Sequence, residues 1–162
     1  IQPPSARDSC LMIVISGANG FTGRFVCAEL QRRKIPFMSL LRPGSDASWM
    51  AARQIPVRYA DLTDSLQLSE QLSGCRALLN VASIGFGAAP AILQACHSAG
   101  VHRAVFVSTT AIFTQLNAGS KTVRQAAEAA ILASGLETTI LRPTMIYGTP
   151  GDRNMIRLVQ WI

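Results

Sequence analysis

Gly17-Ala18-Asn19-Gly20-Phe21-Thr22-Gly23 follows the apolar run Leu11 to Ile15 and opens a helix-like segment from Phe21 to Arg33. A buried strand ending at Ser16, a reversal within a few residues and a helix behind it make a phosphate-binding turn. The first N–H groups of a helix have no partners inside it and point at an anion. The glycines have separate tasks: Gly17 takes the tight turn, Gly20 lets backbone approach a phosphate with no Cβ in the way, and Gly23 lets the helix pack closely on the strand. Asn19 tolerates left-handed backbone. The spacing, Gly-x-x-Gly-x-x-Gly, departs from the commonest dinucleotide fingerprint, so the strand-turn-helix context carries the reading. Gly17, Asn19, Gly20, Phe21, Thr22 and Gly23 are therefore candidate cofactor contacts.

Outward from this turn, apolar β-branched runs alternate with helix-like stretches, the pattern of βαβ units and a parallel sheet. Six strands are expected: Leu11 to Ser16, Phe37 to Arg42, Val57 to Ala60, Ala77 to Val81, Ala104 to Ser108 and Thr138 to Arg142. The helices between them are Phe21 to Arg33, a short Asp46 to Arg53, Ser65 to Leu72, Ala88 to Ala99 and Ser120 to Ser134. Gly100 and Gly135 stand where helix-ending glycines belong, and Thr63 or Asp64 is available as an N-cap. The expected fold is α/β, a Rossmann-type doubly wound sheet of six parallel strands in the order 3-2-1-4-5-6. With 162 residues, an arm over residues 1–10 and one domain over 11–162 account for the chain.

The hydrophobic fraction of 49% and charged fraction of 15% suit strands covered on both faces. Ala77 to His102 carries no Asp, Glu, Lys or Arg, but Asn80, Gly85, Gly87, Pro90 and Gln94 break it up, so no membrane span is expected. The net charge of +6 comes mainly from scattered arginines. The triplet Arg32-Arg33-Lys34 reads as a helix C-terminus complementing the dipole, so no nucleic acid is expected. Cys10, Cys27, Cys75 and Cys96 read as small core residues of a reducing compartment, and the start of the chain lacks a signal core, which gives a cytoplasmic expectation. His97 and His102 show no metal-ligand spacing, no metal is expected, and Trp49 and Trp161 are assigned no function.

Arg42, at the end of the second strand, is expected to bind a phosphate on the adenosine 2′-oxygen with paired hydrogen bonds and to stack on adenine. That favours NADP, with NAD as the other possibility. Asp61 stands where its carboxylate can accept from the adenine amino group or serve the turn before the next helix. The fourth strand ends in Asn80-Val81-Ala82-Ser83, small residues against which a ribose and nicotinamide can lie.

Together with Ser108-Thr109-Thr110 and Leu141-Arg142-Pro143-Thr144-Met145-Ile146-Tyr147-Gly148, these motifs resemble the short-chain dehydrogenase/reductase superfamily. The likeness is to its extended and atypical branches, the NAD-dependent epimerase/dehydratase and NmrA-like groups, and it covers Leu11 to Gly151. It implies a nicotinamide dinucleotide, with Asp61 and Leu62 flanking adenine and Pro143 to Ile146 lining the nicotinamide end. Asn80, Val81, Ala82, Ser108, Lys121 and Pro143 join the expected cofactor contacts. Extended members continue into a smaller substrate lid, so Thr149 to Ile162 reads as the beginning of that continuation, apolar at Ile156, Val159, Trp161 and Ile162. A partner surface, a homo-oligomer or a further C-terminal domain would cover it.

The family's Tyr-x-x-x-Lys pair is missing, because Tyr59 and Tyr147 are the only tyrosines and neither is followed four residues later by Lys. Counting back from Glu128 puts Ser120 and Arg124 in the pair's positions, and a shifted alignment puts Asn117 and Lys121 there. Neither Ser nor Asn replaces a phenol as proton donor. Thr110, or Thr109, supplies a hydroxyl, and Tyr147 is the remaining candidate acid. Two readings follow: an NADP(H)-linked oxidoreductase or epimerase acting on a small carbonyl or sugar-nucleotide substrate, and a non-catalytic NADP(H)-binding sensor or assembly module.

Overall fold

The computed structural model describes residues 12–115, 119–148 and 161. Its six strands are β1 (Ile13–Ser16), β2 (Phe37–Leu41), β3 (Val57–Tyr59), β4 (Ala77–Asn80), β5 (Arg103–Val107) and β6 (Glu137–Leu141). All pair in parallel, in the order β3-β2-β1-β4-β5-β6. The reversal of order lies between β1 and β4, where Ser16 is opposite Asn80 and the first loop opens. The helices are α1 (Phe21–Arg32), α2 (Ser48–Ala51), α3 (Ser65–Leu72), α4 (Ala89–Ala99) and α5 (Lys121–Ala133).

Strand residues alternate between two cores. Ile15, Phe37 and Leu41 face α1 and α2, where they meet Cys27, Met50 and Ile55. Val14, Leu40, Leu78 and Phe106 face the opposite layer, built from α3, α4 and α5 through Leu68, Ile92 and Ile131. Helices on both faces leave the central strands apolar on both sides, which is why β2 is buried along its whole length.

Local chemistry sets the helix ends. Asp64 caps α3, its carboxylate accepting from the N–H groups of Leu66 (3.1 Å) and Gln67 (3.0 Å). Gly100 ends α4 at φ +70°, and Gly135 follows α5 at φ +76°. At the end of α1, Glu29 pairs with Arg32 (2.7 Å) and Arg33 (2.6 Å), whose hydrogen bonds hold its pKa down to about 2.

Five of the six expected strand ends fall back by one residue. Arg42, Ala60, Val81, Ser108 and Arg142 each fall just past their strands, where the chain turns at the carboxyl edge; Ala60, Val81 and Ser108 still donate one last N–H to the neighbouring strand. The helix expected over Asp46 to Arg53 is a single turn. The Asp46 carboxylate accepts from Ser48 N at 2.8 Å at its start, and Gln54 at φ 56° follows its end. Two 3₁₀ turns, Ile84–Phe86 and Thr110–Phe113, were not anticipated. The arm, Cys10, Asn117 and, apart from Trp161, the expected final helix from Asn154 onward lie outside the described residues.

Candidate functional site

Helix α1 begins without a side-chain cap. Gly20 occupies the N-cap position in extended conformation (φ −73°, ψ 168°), its N–H donates to Gly17 O at 3.1 Å, and its carbonyl accepts from Arg24 N at 3.0 Å. Nothing in the described chain accepts from the N–H groups of Phe21, Thr22 and Gly23, so a three-turn helix presents its positive end to the loop. A Cβ on Gly17, which has φ +71°, would lie 2.4 Å from Ala82 N, and one on Gly23 would lie 2.1 Å from Gly17 O. These two glycines press backbone on backbone. At Gly20 the only atom near an added Cβ is Gly17 O at 3.3 Å, so the space above it is open for a ligand.

Two cavities meet at this turn. The smaller, about 370 Å³, lies toward β2 and β3 and is bordered by Gly17, Leu41, Arg42, Asp61, Leu62 and Ala82. The larger, about 970 Å³, runs past Phe21 and Thr22 to Ser108, Thr109 and Pro143 at the ends of β5 and β6. Asn19 and Gly20 border both. Asn19 is held by two bonds, its amide donating to Asp46 O (2.7 Å) and its carbonyl accepting from Arg24 (2.9 Å).

At the smaller cavity Arg42 is exposed and its guanidinium makes no hydrogen bond or ion pair with any described residue. Asp61 accepts from Thr63 N (2.8 Å) and Thr63 Oγ1 (2.7 Å), while its own N–H donates to Gln67 Oε1 at 2.8 Å. The Thr63 bonds, with the Arg42 charge nearby, hold the Asp61 carboxyl below its ordinary pKa. Its other oxygen remains open to the cavity. Phe86, 83% exposed on the 3₁₀ turn before Gly87, also stands at this mouth, and the sequence offered no sign of it beyond a Phe between two glycines.

The remaining expected residues divide between lining and support. Asn80 is fully buried, its carbonyl accepting from Ser16 Oγ at 2.5 Å and its amide donating to Ala82 O at 2.9 Å, so it fixes the loop that borders the cavity. Val81 packs against the core under α1 and donates its N–H to Ser16 O at 3.0 Å. Ser108 and Thr109 reach the larger cavity. Thr110, in contrast, lies a step behind, its N–H donating to Pro143 O at 3.1 Å, which joins the two loops. Lys121 Nζ donates to Thr114 O at 2.6 Å. Tyr147, 65% exposed, does not border either cavity. Arg124, bonded to Ser120 Oγ at 3.3 Å, lies over Gly85, where an added Cβ would be 2.9 Å from its Nε.

The loops after β5 and β6 are braced from beneath by Glu128 of α5 and Arg142. The guanidinium meets the carboxylate at 2.7 Å and 2.9 Å and lies over the Phe113 ring. Burial, the largest single influence, pushes the Glu128 pKa up, but the Arg142 hydrogen bonds and charge together with the Ser108 hydroxyl outweigh it and the net shift is downward. Ser108 Oγ, buried without a hydrogen bond of ordinary geometry, lies close enough to help. A depressed folded pKa means that the pair stabilises above the unfolded carboxyl pKa, and that this is lost as pH falls through the folded one. Arg142→Ala leaves Glu128 buried and unpaired, so its pKa rises instead. The expected result is a Tm lower by roughly 5 °C at neutral pH, with the gap to the natural protein closing toward pH 4 as Glu128 protonates. A pH-independent gap in thermal melts would mean that the guanidinium acts only by packing.

Cys27, Cys75 and Cys96 are buried, and burial raises their pKa values, that of Cys96 to about 12, so none is a reactive thiolate. Among the described residues no group of three or more His, Cys, Asp or Glu is placed to hold a metal ion, and no helix is long and apolar enough to cross a membrane.

A family model described as NAD(P)H-binding matches residues 17–160. No curated protein sequence matches the chain. Among solved structures it is similar to an NADPH-dependent quinone oxidoreductase from Escherichia coli, in complex with NADPH, at 28% identity and TM-score 0.70. The match covers 81% of this chain and 48% of that one. It also shares the fold of a Citrobacter triphenylmethane reductase complexed with NADP(H), at 23% identity and TM-score 0.68, over 80% of this chain and 48% of that one. A short-chain dehydrogenase/reductase from Veillonella parvula has the same fold at 18% identity and TM-score 0.74, over 86% of this chain and 71% of that one. The chain thus spans about half the length of the first two.

Proposed function

Because the chain belongs to the NAD(P)H-binding family over residues 17–160, we propose that it is the cofactor-binding domain of an NADP(H)-linked oxidoreductase or epimerase. The observation that carries this is the shared border of the two cavities at Asn19 and Gly20, above the uncapped start of α1. A dinucleotide laid across that border has its pyrophosphate at the helix N–H groups, its adenosine beside Arg42, Asp61 and Leu62, and its nicotinamide toward Ser108, Thr109 and Pro143. Bound there, the reduced nicotinamide supplies hydride.

Arg42 selects the cofactor. Its guanidinium, unpaired among the described residues, borders the adenosine cavity and suits a 2′-phosphate, and the one described carboxylate there, Asp61, has its Oδ1 engaged by Thr63. In titration calorimetry Arg42→Asp is expected to weaken NADPH about 100-fold, ~2.7 kcal/mol, and NADH only a few-fold. Equal losses for both cofactors would remove the 2′-phosphate assignment.

The chemistry is limited by what borders the larger cavity: Thr109 and Thr144 bring hydroxyls, while Ser108 borders it with its Oγ buried, and no described Tyr, Lys, His, Asp or Glu lines it. An alcohol is too weak an acid to protonate an isolated alkoxide as it forms. The acceptor that suits such a site is a conjugated carbonyl, of the quinone type, whose two-electron reduced anion is stabilised by delocalisation and takes its proton from water. Thr109 then orients the acceptor oxygen. The same lack of an acid favours a second reading, a non-catalytic NADP(H)-binding sensor. Purified protein mixed with NADPH and a set of quinones and simple aldehydes separates them. Loss of nicotinamide absorbance with quinones supports the enzyme, binding without turnover supports the sensor, and no binding overturns both.

A further inference from the structure

The end of the larger cavity away from Ser108 is built from residues that dinucleotide binding leaves unused. Trp49, half-buried at the start of α2, carries two guanidinium groups over its ring, Arg53 at 4.1 Å and Arg24 at 5.4 Å from the ring centre. Arg24 donates one bond to Asn19 Oδ1. The Arg53 guanidinium makes no hydrogen bond or ion pair with any described residue, so its donors are open to the cavity it borders. The nearest carboxylate in this region, Asp46, has one oxygen taken by Ser48 N and the other by Ser48 Oγ, both at 2.8 Å, and lies close enough to Arg24 to feel its charge. No described Asp or Glu borders the cavity.

Between this cationic end and the hydroxyl of Thr109 lies an apolar floor. Phe21 and Phe25 stand edge to face at 5.4 Å between ring centres, Phe25 is 54% exposed, and Ala28 continues the strip. An exposed aromatic pair costs solvation free energy unless something covers it. A guanidinium stacked on an indole is held flat with its N–H edge outward, which matches the paired oxygens of a carboxylate or phosphate.

We propose that this cavity binds a substrate with an apolar body and an acidic end, the oxyanion held by Arg53 with Arg24 beside it, the body on Phe25, and the reacting end at Thr109. The proposal rests on the reading of the larger cavity as the nicotinamide and substrate end, and it names the class of substrate: a carboxylate- or phosphate-bearing acceptor. Neither guanidinium borders the smaller cavity that takes adenosine, so the acid site and the Arg42 site serve different anions.

Titration calorimetry with 3-phenylpropionate, phenyl phosphate and the neutral 3-phenylpropanamide tests it, on protein alone and on protein saturated with NADP⁺. Both acids are expected to bind at least tenfold more tightly than the amide, with the advantage shrinking as salt rises. Arg53→Gln should erase that advantage and leave NADP⁺ affinity unchanged, while Arg53→Lys should keep part of it. An amide that binds as well as the acids, an Arg53→Gln variant that still prefers acids, or acids that displace NADP⁺ would each overturn the proposal. Failure of the natural protein to bind NADP⁺ would instead overturn the cofactor reading, and the acid preference of the protein alone would still decide this one.

Discussion

Gly23→Ala is expected to lower the Tm by about 6–12 °C, the equivalent of ~3 kcal/mol in a domain of this size. The added methyl would stand 2.1 Å from Gly17 O, 2.7 Å from Ala18 Cα and 2.8 Å from Ala18 C, all backbone. No rotamer change relieves such a contact, because none of these atoms is the end of a flexible side chain. Helix α1 would have to lift off the turn, and its Cys27 face would leave the core shared with Ile15 and Met50. With a typical total stability of about 5–15 kcal/mol, that loss is a large fraction. Thermal or denaturant unfolding of the purified variant measures it, and a Tm within 2 °C or so of the natural protein would show that α1 has room to move and that Gly23 serves some other need.

The fold was legible in the sequence wherever burial is two-sided. A strand covered on both faces is largely apolar, so β2 and β4 stand out as apolar runs with Ser39 and Asn80 as their polar members, and the turn after β1 announces itself because two of its three glycines are demanded by backbone packing. Strand ends were less legible. Arg42, Ser108 and Arg142 read as the last residues of strands, yet each lies just past one, where the chain turns away at the carboxyl edge, Ser108 still donating its N–H to Leu141 O at 2.7 Å. The site residues predicted from the turn, Asn19 and Gly20 above all, are brought together with Arg42, Asp61 and Ala82 because all lie at carboxyl ends of adjacent strands.

What the sequence did not disclose are pairings across elements. Arg24 is on α1, Trp49 on α2 and Arg53 in the turn after it, and only the docking of α2 beside α1, with Asn19 bonded to Asp46 O, brings them to one place. No period of 2 or 3.6 encodes that. Glu128 was noticed for its position on a helix, but its partner, Arg142, is chosen by the fit of α5 over β6. The absence of a Tyr-x-x-x-Lys pair was plain from the sequence. The cavity adds that no other described side chain of comparable acidity stands in its place.

Gly20→Val is expected to weaken NADPH by at least 100-fold, about 2.7 kcal/mol, while the domain keeps its fold. The substitution suits the backbone: φ −73° and ψ 168° are ordinary for a β-branched residue, and the one close neighbour, Gly17 O at 3.3 Å, needs to give only a few tenths of an ångström. The N-cap loses no hydrogen bond, because α1 has no side-chain cap to lose. What changes is the outside. The isopropyl group would stand over the N–H groups of Phe21, Thr22 and Gly23, at the border of the two cavities, where the pyrophosphate must come within hydrogen-bonding distance of backbone. Steric exclusion there acts on NADH and NADPH alike, which distinguishes it from the selective effect at Arg42. Calorimetric titration with both cofactors, beside a thermal melt, reads the two halves of the prediction. Affinity unchanged for both would place the dinucleotide away from the start of α1. A Tm that collapses together with binding would mean that Gly20, like Gly23, is held by packing, and the open space above it would then not be a ligand's path.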